Sequence, residues 1–283
     1  MKKTRASQTA MGTAALRAIE SEKPASERIC FDPYARKFIN IWFYLPVKIF
    51  ARFGERRSNL ALAFVACRYR YIDDYLQECL KGGTTQLVIL GAGFDSRAYR
   101  EELVSVEVKI FEVDFPTTQA SKIERVEELF GQLPENVVYV PIDFNVETLN
   151  KLLTGGFDPS LKTLFIWEGV TLYLDDAAVD ATLAWVSANS LPGSIIIFDY
   201  QDMSTLTRPH PVYSVLNRLT GEKRVFGIEK GRIASFLSQR GFVKIVNANS
   251  EQLEQLYCTG SNQRRSLAKY NSIVHAEVGE KPG

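Results

Sequence analysis

Three acidic residues stand where three apolar runs end: Asp114 after VKIFEV, Asp143 after VVYVPI and Glu168 after TLFIW. An earlier run, QLVIL (86–90), passes directly into GAGFDSR (91–97). If these runs are parallel strands, their carboxyl ends share one edge of the sheet, where ligands of such folds bind. Gly91 and Gly93 then let the backbone approach a ligand closely. Glu112 and Asp114 lie 19 and 21 residues beyond Gly93, near the ~20 at which an acid meets ribose hydroxyls in this class. Both share one strand face, and the following Phe115 and Pro116 put Asp114 at the very edge, so Asp114 is the preferred ribose acceptor. Asp143 suits an adenine amino group, with Phe144 beside it to pack on the ring. Glu168 follows apolar Ile166 and Trp167 into the centre of the cleft, where a charge is costly without a partner. In ACRYRYIDDYL, either Arg68 or Arg70 offers a bidentate fork to a ligand carboxylate. Arg97 and Arg100 are weaker candidates for that role.

The loop also constrains the ligand. A dinucleotide site adds a third glycine and leaves the next helix N-terminus free for pyrophosphate. Here Ser96 holds that position with Asp95 beside it, and a carboxylate there repels phosphates, which argues against a nicotinamide-dependent oxidoreductase. S-adenosylmethionine (SAM) carries no phosphate and has a sulfonium and an ammonium, so it welcomes nearby carboxylates. The expected cofactor is therefore SAM, released as S-adenosylhomocysteine. Methyl transfer from a sulfonium is an in-line displacement that mainly demands alignment and exclusion of water. A carboxylate acceptor, with a pKa near ~4, is already ionised at neutral pH, whereas a phenol near ~10 benefits from a base. The two histidines, His210 between prolines and His275, lack a catalytic setting, which favours a carboxylate; Tyr200, Tyr213 or an acid remain open as bases. No catalytic residue is assigned. Metalloprotease, hydrolase and P-loop motifs are absent. Cys30, Cys67, Cys79 and Cys258 form no CxxC pair, so neither a metal site nor a disulfide framework is expected.

The elements that must position these groups follow from periodicity. Residues 10–80 contain no convincing strand and read as helices over Ala10–Glu20, Pro33–Phe53 and Ser58–Leu80. From Gln86, short apolar runs alternate with amphipathic segments, the pattern of a largely parallel sheet. A fifth run, SIIIFDY (194–200), extends it. Helices are expected over Thr117–Phe130, ended by Gly131, and from an Asp175 cap through Ser190. Residues 201–228 break the rhythm and read as a lid or substrate-lining segment. A helix over 229–240 and strands near 242–247 and 272–278 bring the strand count to seven. The domain plan is one unit: a helical cap (1–84), a cofactor-binding core (85–200), the lid (201–228) and the remainder of the sheet (229–283). At 283 residues with 46% hydrophobic content, one large α/β domain is affordable. Lys and Arg total 34 against 33 acids, so no overall basic field attracts nucleic acid or anionic lipid. The apolar stretch 41–47 falls short of the ~20 residues of a membrane span. The start, MKKTRASQTAMGTAAL, lacks an apolar secretory core, and the expected location is cytoplasmic.

Taken together, VILGAGFDSRAYR, FEVDFP, PIDFN and WEGVTLYL resemble the leucine carboxyl methyltransferase family. Its bacterial SAM-dependent O-methyltransferase branch, including polyketide carboxyl O-methyltransferases of tetracenomycin type, is similar as well. SQTAMGTAALRAIE and DPYARKF resemble that branch's helical start, so the likeness covers roughly residues 7–200. It implies a Rossmann-like class I methyltransferase with a seven-stranded, mostly parallel sheet, a helical N-terminal extension and a lid after the fifth strand. It implies that Arg68 binds the methionine carboxylate and that Gly91 forms the cofactor turn. Asp114 would take the ribose, Asp143 and Phe144 the adenine, and Glu168 would lie by the methionine ammonium. The implied reaction is methylation of an oxygen, foremost a carboxylate of a small metabolite. A protein C-terminal carboxylate is the second acceptor, and a non-catalytic SAM-binding protein the alternative.

Overall fold

A computed structural model describes residues 8–55, 60–104, 108–207 and 224–280. Three helices come first: α1 (Gln8–Ser21), α2 (Ile41–Glu55) and α3 (Leu60–Lys81). The strands are β1 (Gln86–Leu90), β2 (Lys109–Asp114), β3 (Val137–Pro141), β4 (Thr163–Trp167), β5 (Ile195–Gln201), β6 (Phe242–Asn249) and β7 (Asn271–Val278). Between them run α4 (Glu101–Val104), α5 (Pro116–Phe130), α6 (Asn150–Thr154), α7 (Asp176–Asn189), α8 (Ser204–Thr207), α9 (Ile233–Ser238) and α10 (Ser250–Tyr257).

The seven strands form one sheet in the order β3-β2-β1-β4-β5-β7-β6. β7 is antiparallel to both β5 and β6, and the other paired neighbours are parallel. Every residue of β1, β4 and β5 is buried, as expected when helices cover both faces of a parallel sheet. Alternation divides them between two cores. Leu87, Ile89, Ile110, Ile166 and Ile197 pack with the N-terminal helices, while Val88, Leu90, Phe111, Trp167 and Phe198 pack with α7. The strand order changes direction between the parallel neighbours β1 and β4, so the carboxyl ends around that point open a crevice at the edge where the strands finish.

Local chemistry sets the helix limits. Gly131 closes α5 in the left-handed region at φ 78°, and the Asp175 carboxylate accepts the Ala178 N–H at 2.8 Å to start α7, as the sequence predicts. The helix expected from Pro33 begins only at Ile41. The Asp32 carboxylate accepts the N–H groups of Tyr34 and Ala35, and the Asn40 side chain accepts that of Trp42. These local bonds compete with helix until Asn40 can cap it. The helix expected over 229–240 is confined to Ile233–Ser238. α10, missed in the sequence, starts from a reciprocal capping box between Asn249 and Gln252. Of the expected lid, residues 208–223, with His210 and Tyr213, lie outside the described residues. Residue 201 belongs to β5, and the Val225 N–H donates to the Leu172 carbonyl at 2.8 Å, which ties the segment's return to the loop after β4.

Replacing Asp175 by Ala removes the α7 cap and is expected to lower the unfolding free energy by about 1 kcal/mol. Urea titration would register this as a lower midpoint with an unchanged slope.

Candidate functional site

A cavity of about 440 Å³ opens at the carboxyl edge of β1, β2, β3 and β4. Arg68, Gly91, Gly93, Asp114, Asp143, Phe144 and Glu168, all singled out in the sequence, line it together. The turn after β1 has Gly91 at φ 69°, and a Cβ there would overlap a Val170 methyl. A Cβ on Gly93 would stand 3.0 Å from the Ala10 Cβ of α1, so the loop and the N-terminal helix meet almost backbone to backbone. Asp114 braces the same turn: its Oδ2 accepts the Gly93 N–H at 2.5 Å and its Oδ1 the Phe115 N–H. Asp143 is half-buried at the end of β3, and its Oδ1 accepts from the backbone and side-chain nitrogens of Asn145.

The polar end of the cavity is a buried charge network. Arg68 donates from Nε to Glu168 at 3.0 Å and from Nη1 to Asp199 at 2.7 Å. Arg97 donates to Glu168 at 2.8 Å, to Asp73 at 2.6 Å and to Asp95. Arg100 reaches Asp73, and Arg17 reaches Asp32 at 2.9 Å. Four guanidinium groups thus face five carboxylates. Tyr69 stands among them: Arg17, Arg97 and Arg100 lie 4.9, 4.0 and 5.0 Å from its ring centre, and its hydroxyl donates to Asp32.

Burial by itself raises a carboxyl pKa, yet Arg68, Arg97 and Arg17 overcome it and hold Glu168 at about 2. Asp32 is likewise held at about 2 against its own burial by Arg17 and Arg100. Glu112 goes the other way. It is fully buried beneath Tyr99 and Lys122, and burial pushes its carboxyl up to about 7 despite the Lys122 ammonium 2.7 Å away. Of the two acids on β2, only Asp114 lines the cavity.

The structure also separates the candidate arginines. Arg70 is exposed and paired with Asp74, Arg97 and Arg100 are committed to the network, and Arg68 lines the cavity. Tyr200 donates to Asn247 and lies outside the cavity lining, and His275 stacks on Tyr75 at 4.0 Å in β7. Sequence reading missed two contributions. Thr9, Thr13 and Arg17 of α1 line the cavity, although their i, i+4, i+8 spacing marks one helical face. Asp199 accepts both the Arg68 Nη1 and the Gly169 N–H at 2.5 Å; it ends an apolar run just as Asp143 and Glu168 do.

The sheet order, the reversed seventh strand and the cavity at the strand ends define a Rossmann-like α/β methyltransferase fold. A solved structure of a putative methyltransferase from Thermobifida fusca superposes over 99% of this chain and 97% of its own with a TM-score of 0.58 at 12% identity, a likeness of fold. The leucine carboxyl methyltransferase profile matches residues 10–187, and the chain belongs to that family. A relative from Streptomyces avermitilis is 33% identical over 191 residues, 66% of this chain and 66% of its own length. One from Frankia alni is 32% identical over 197 residues, 68% of each. Both carry the name putative S-adenosyl-L-methionine-dependent methyltransferase. The match thus spans about two thirds of these curated relatives.

Two outcomes follow from this geometry. Gly91→Ala places a side chain in the left-handed region against Val170, and a loss of roughly 1–3 kcal/mol in unfolding free energy is expected. Glu168→Gln leaves Arg68 paired with Asp199 and Arg97 with Asp73 and Asp95 but weakens two buried charge-assisted hydrogen bonds, and a loss of roughly 1–3 kcal/mol at pH 7 is expected. Because the folded Glu168 carboxyl titrates at about 2, below its ordinary 4.5, its stabilisation is complete above that ordinary value and fades as pH falls through about 2. The gap between wild type and variant should therefore narrow between pH 5 and pH 2, read by urea unfolding at a series of pH values.

Proposed function

We propose that this chain is a SAM-dependent methyltransferase that binds SAM in the cavity and methylates an oxygen, foremost a carboxylate of a small metabolite. The observation that carries the reading is the pairing of Arg68 with Glu168 at the polar end. The Arg68 Nε and Nη1 are engaged, while Nη2 has no hydrogen-bond partner among the described residues. An amino-acid moiety needs such a neighbouring cation and anion: Nη2 for the carboxylate and ionised Glu168 for the ammonium. SAM bears one net positive charge, and the network behind the site carries one carboxylate more than its guanidinium groups.

On this reading Asp114 accepts the ribose hydroxyls, and Asp143 and Phe144 hold the adenine. Gly91 and Gly93 bring the turn close to the nucleoside. When bound, SAM supplies an electrophilic methyl group on sulfur. The chain's own part is to orient the acceptor and to exclude water, with Val170, Tyr173, Leu174 and Val225 lining the same cavity. Among the described residues, no histidine, lysine or cysteine lines it, and a carboxylate held at about 2 is a poor base. An acceptor already ionised at neutral pH fits such a site. The family's name favours a protein C-terminal carboxylate as the second acceptor.

Calorimetric titration with SAM, S-adenosylhomocysteine and NADH tests the reading. Binding of the two sulfur nucleosides without NADH is expected, and NADH binding alone would overturn it. Asp114 is the cleaner probe, because Glu168 is tied into the fold. Asp114→Ala is expected to weaken SAM binding roughly 10–100-fold through loss of charge-assisted hydrogen bonds, with a thermal unfolding midpoint within a few degrees of wild type. Unchanged affinity in a folded variant would remove Asp114 from the site.

A further inference from the structure

Spacing along the chain pairs none of the four cysteines, but the fold brings two of them together. Cys67 lies on α3, and Cys258 follows directly on the last residue of α10, 191 positions later. α10 packs on α3, and Cys258 packs against the core cluster that contains Cys67. The two thiols are in hydrogen-bond contact. Polar bonds around them hold the pair in place. The Tyr257 hydroxyl donates to Asp74 at 3.0 Å, and Asp74 stands two helical turns beyond Cys67 on the same face of α3. The Cys258 N–H donates to the Glu254 carbonyl at 2.8 Å and closes α10.

The two thiols differ in the way that thiol-disulfide exchange requires. Cys30, Cys67 and Cys79 are buried, and Cys258 alone is partly exposed. The hydrogen bond from Cys67 lowers the Cys258 thiol below its ordinary value, and the same bond, with burial, raises Cys67. Cys258 is therefore both the thiol that a dissolved oxidant reaches and the one more readily ionised, which are the two conditions for attack. Cys67 stands behind it as a resolving thiol, and a resolving thiol turns an oxidised cysteine into a reversible bridge.

We propose that Cys67 and Cys258 form a reversible disulfide, with a low-molecular-weight disulfide as oxidant, that locks α10 to α3 one residue from Arg68. The Cys258 thiolate attacks one sulfur of the oxidant, and the oxidant's S–S bond breaks to leave a mixed disulfide and one small thiolate. With Cys258 so bonded, Cys67 loses the hydrogen bond that held its proton. It passes that proton to the small thiolate and attacks the Cys258 sulfur; the mixed disulfide breaks and a second small thiolate leaves. The protein gives up two electrons and two protons, and the oxidant ends as two small thiols. Excess small thiol reverses both steps. The bridge closes a loop through most of the chain, and long closed loops remove the most freedom from the unfolded state. It also fastens the helix that presents Arg68 without using any group that lines the cavity, so it does not depend on which ligand the cavity takes.

Incubation of the folded full chain with millimolar oxidised glutathione, followed by acid quench, denaturation and thiol counting, tests this. The four thiols are expected to fall to two, with peptide mass mapping joining Cys67 to Cys258, and excess dithiothreitol should restore the full count. The oxidised protein should melt several degrees above the reduced one. Cys67→Ala is expected to stop at a glutathione adduct on Cys258, and Cys258→Ser to keep its remaining thiols and melt alike with and without oxidant. The wild-type and Cys258→Ser readings decide the matter even where Cys67→Ala fails to fold. Survival of all thiols in the folded wild type, a wild-type adduct on Cys258 that does not resolve, or a bridge from Cys67 to the nearby Cys30 would overturn the proposal.

Discussion

The pairing of Arg68 with Glu168 joins the helical cap to the sheet, and most of the site depends on it. The two residues are 100 positions apart in the chain, one on α3 and one just beyond β4. Removing either would leave the other with one buried partner fewer, Arg68 with Asp199 or Glu168 with Arg97, and buried pairs are expensive to break even when they contribute little net stability. Asp199, Arg97, Asp73 and Arg100 extend the pairing inward, and Arg17 and Asp32 bring in α1. The network fixes the relative placement of α1, α3 and the ends of β4 and β5, which together form the wall of the cavity.

The unequal charge count gives this wall a direction. With one carboxylate in excess, it presents a negative end to any ligand, and Asp114 and Asp143 add to it along the strand edge. Phosphate-bearing ligands meet the opposite of what they need, while a sulfonium and an ammonium meet complementary charge. Preorganisation matters as much as sign. Arg68 and Glu168 are held by protein partners before any ligand arrives, so little ordering remains to oppose binding. The closeness of Gly93 to Ala10 serves the same end, since α1 is packed against the loop instead of waiting to fold over it.

Net charge averages over the chain and does not report how charge is divided between interior and surface. The buried network takes up five carboxylates against four guanidinium groups, so a total of +1 for the whole chain leaves a formal +2 for the rest of it. The same segregation places a polar interior at the cavity, the reverse of the usual arrangement. The inversion marks a place where something other than stability of the isolated fold is at issue.

Much of this was legible in the chain itself. Apolar runs of strand length, the turn at Gly91 and the acids after them gave the sheet and its ligand edge, because strand period and glycine geometry are local properties. Asp114, Asp143 and Glu168 share the cavity for that reason alone. The choice between Arg68 and Arg70 could not be made from the sequence. Two positions apart on one helix, they differ only in the direction each faces, and the packing of α3 against the sheet sends Arg68 inward and leaves Arg70 in solvent. Asp199, Arg17 and the meeting of Cys67 with Cys258 were hidden for the same reason: contacts across long sequence separations exist only once the tertiary structure has brought the elements together.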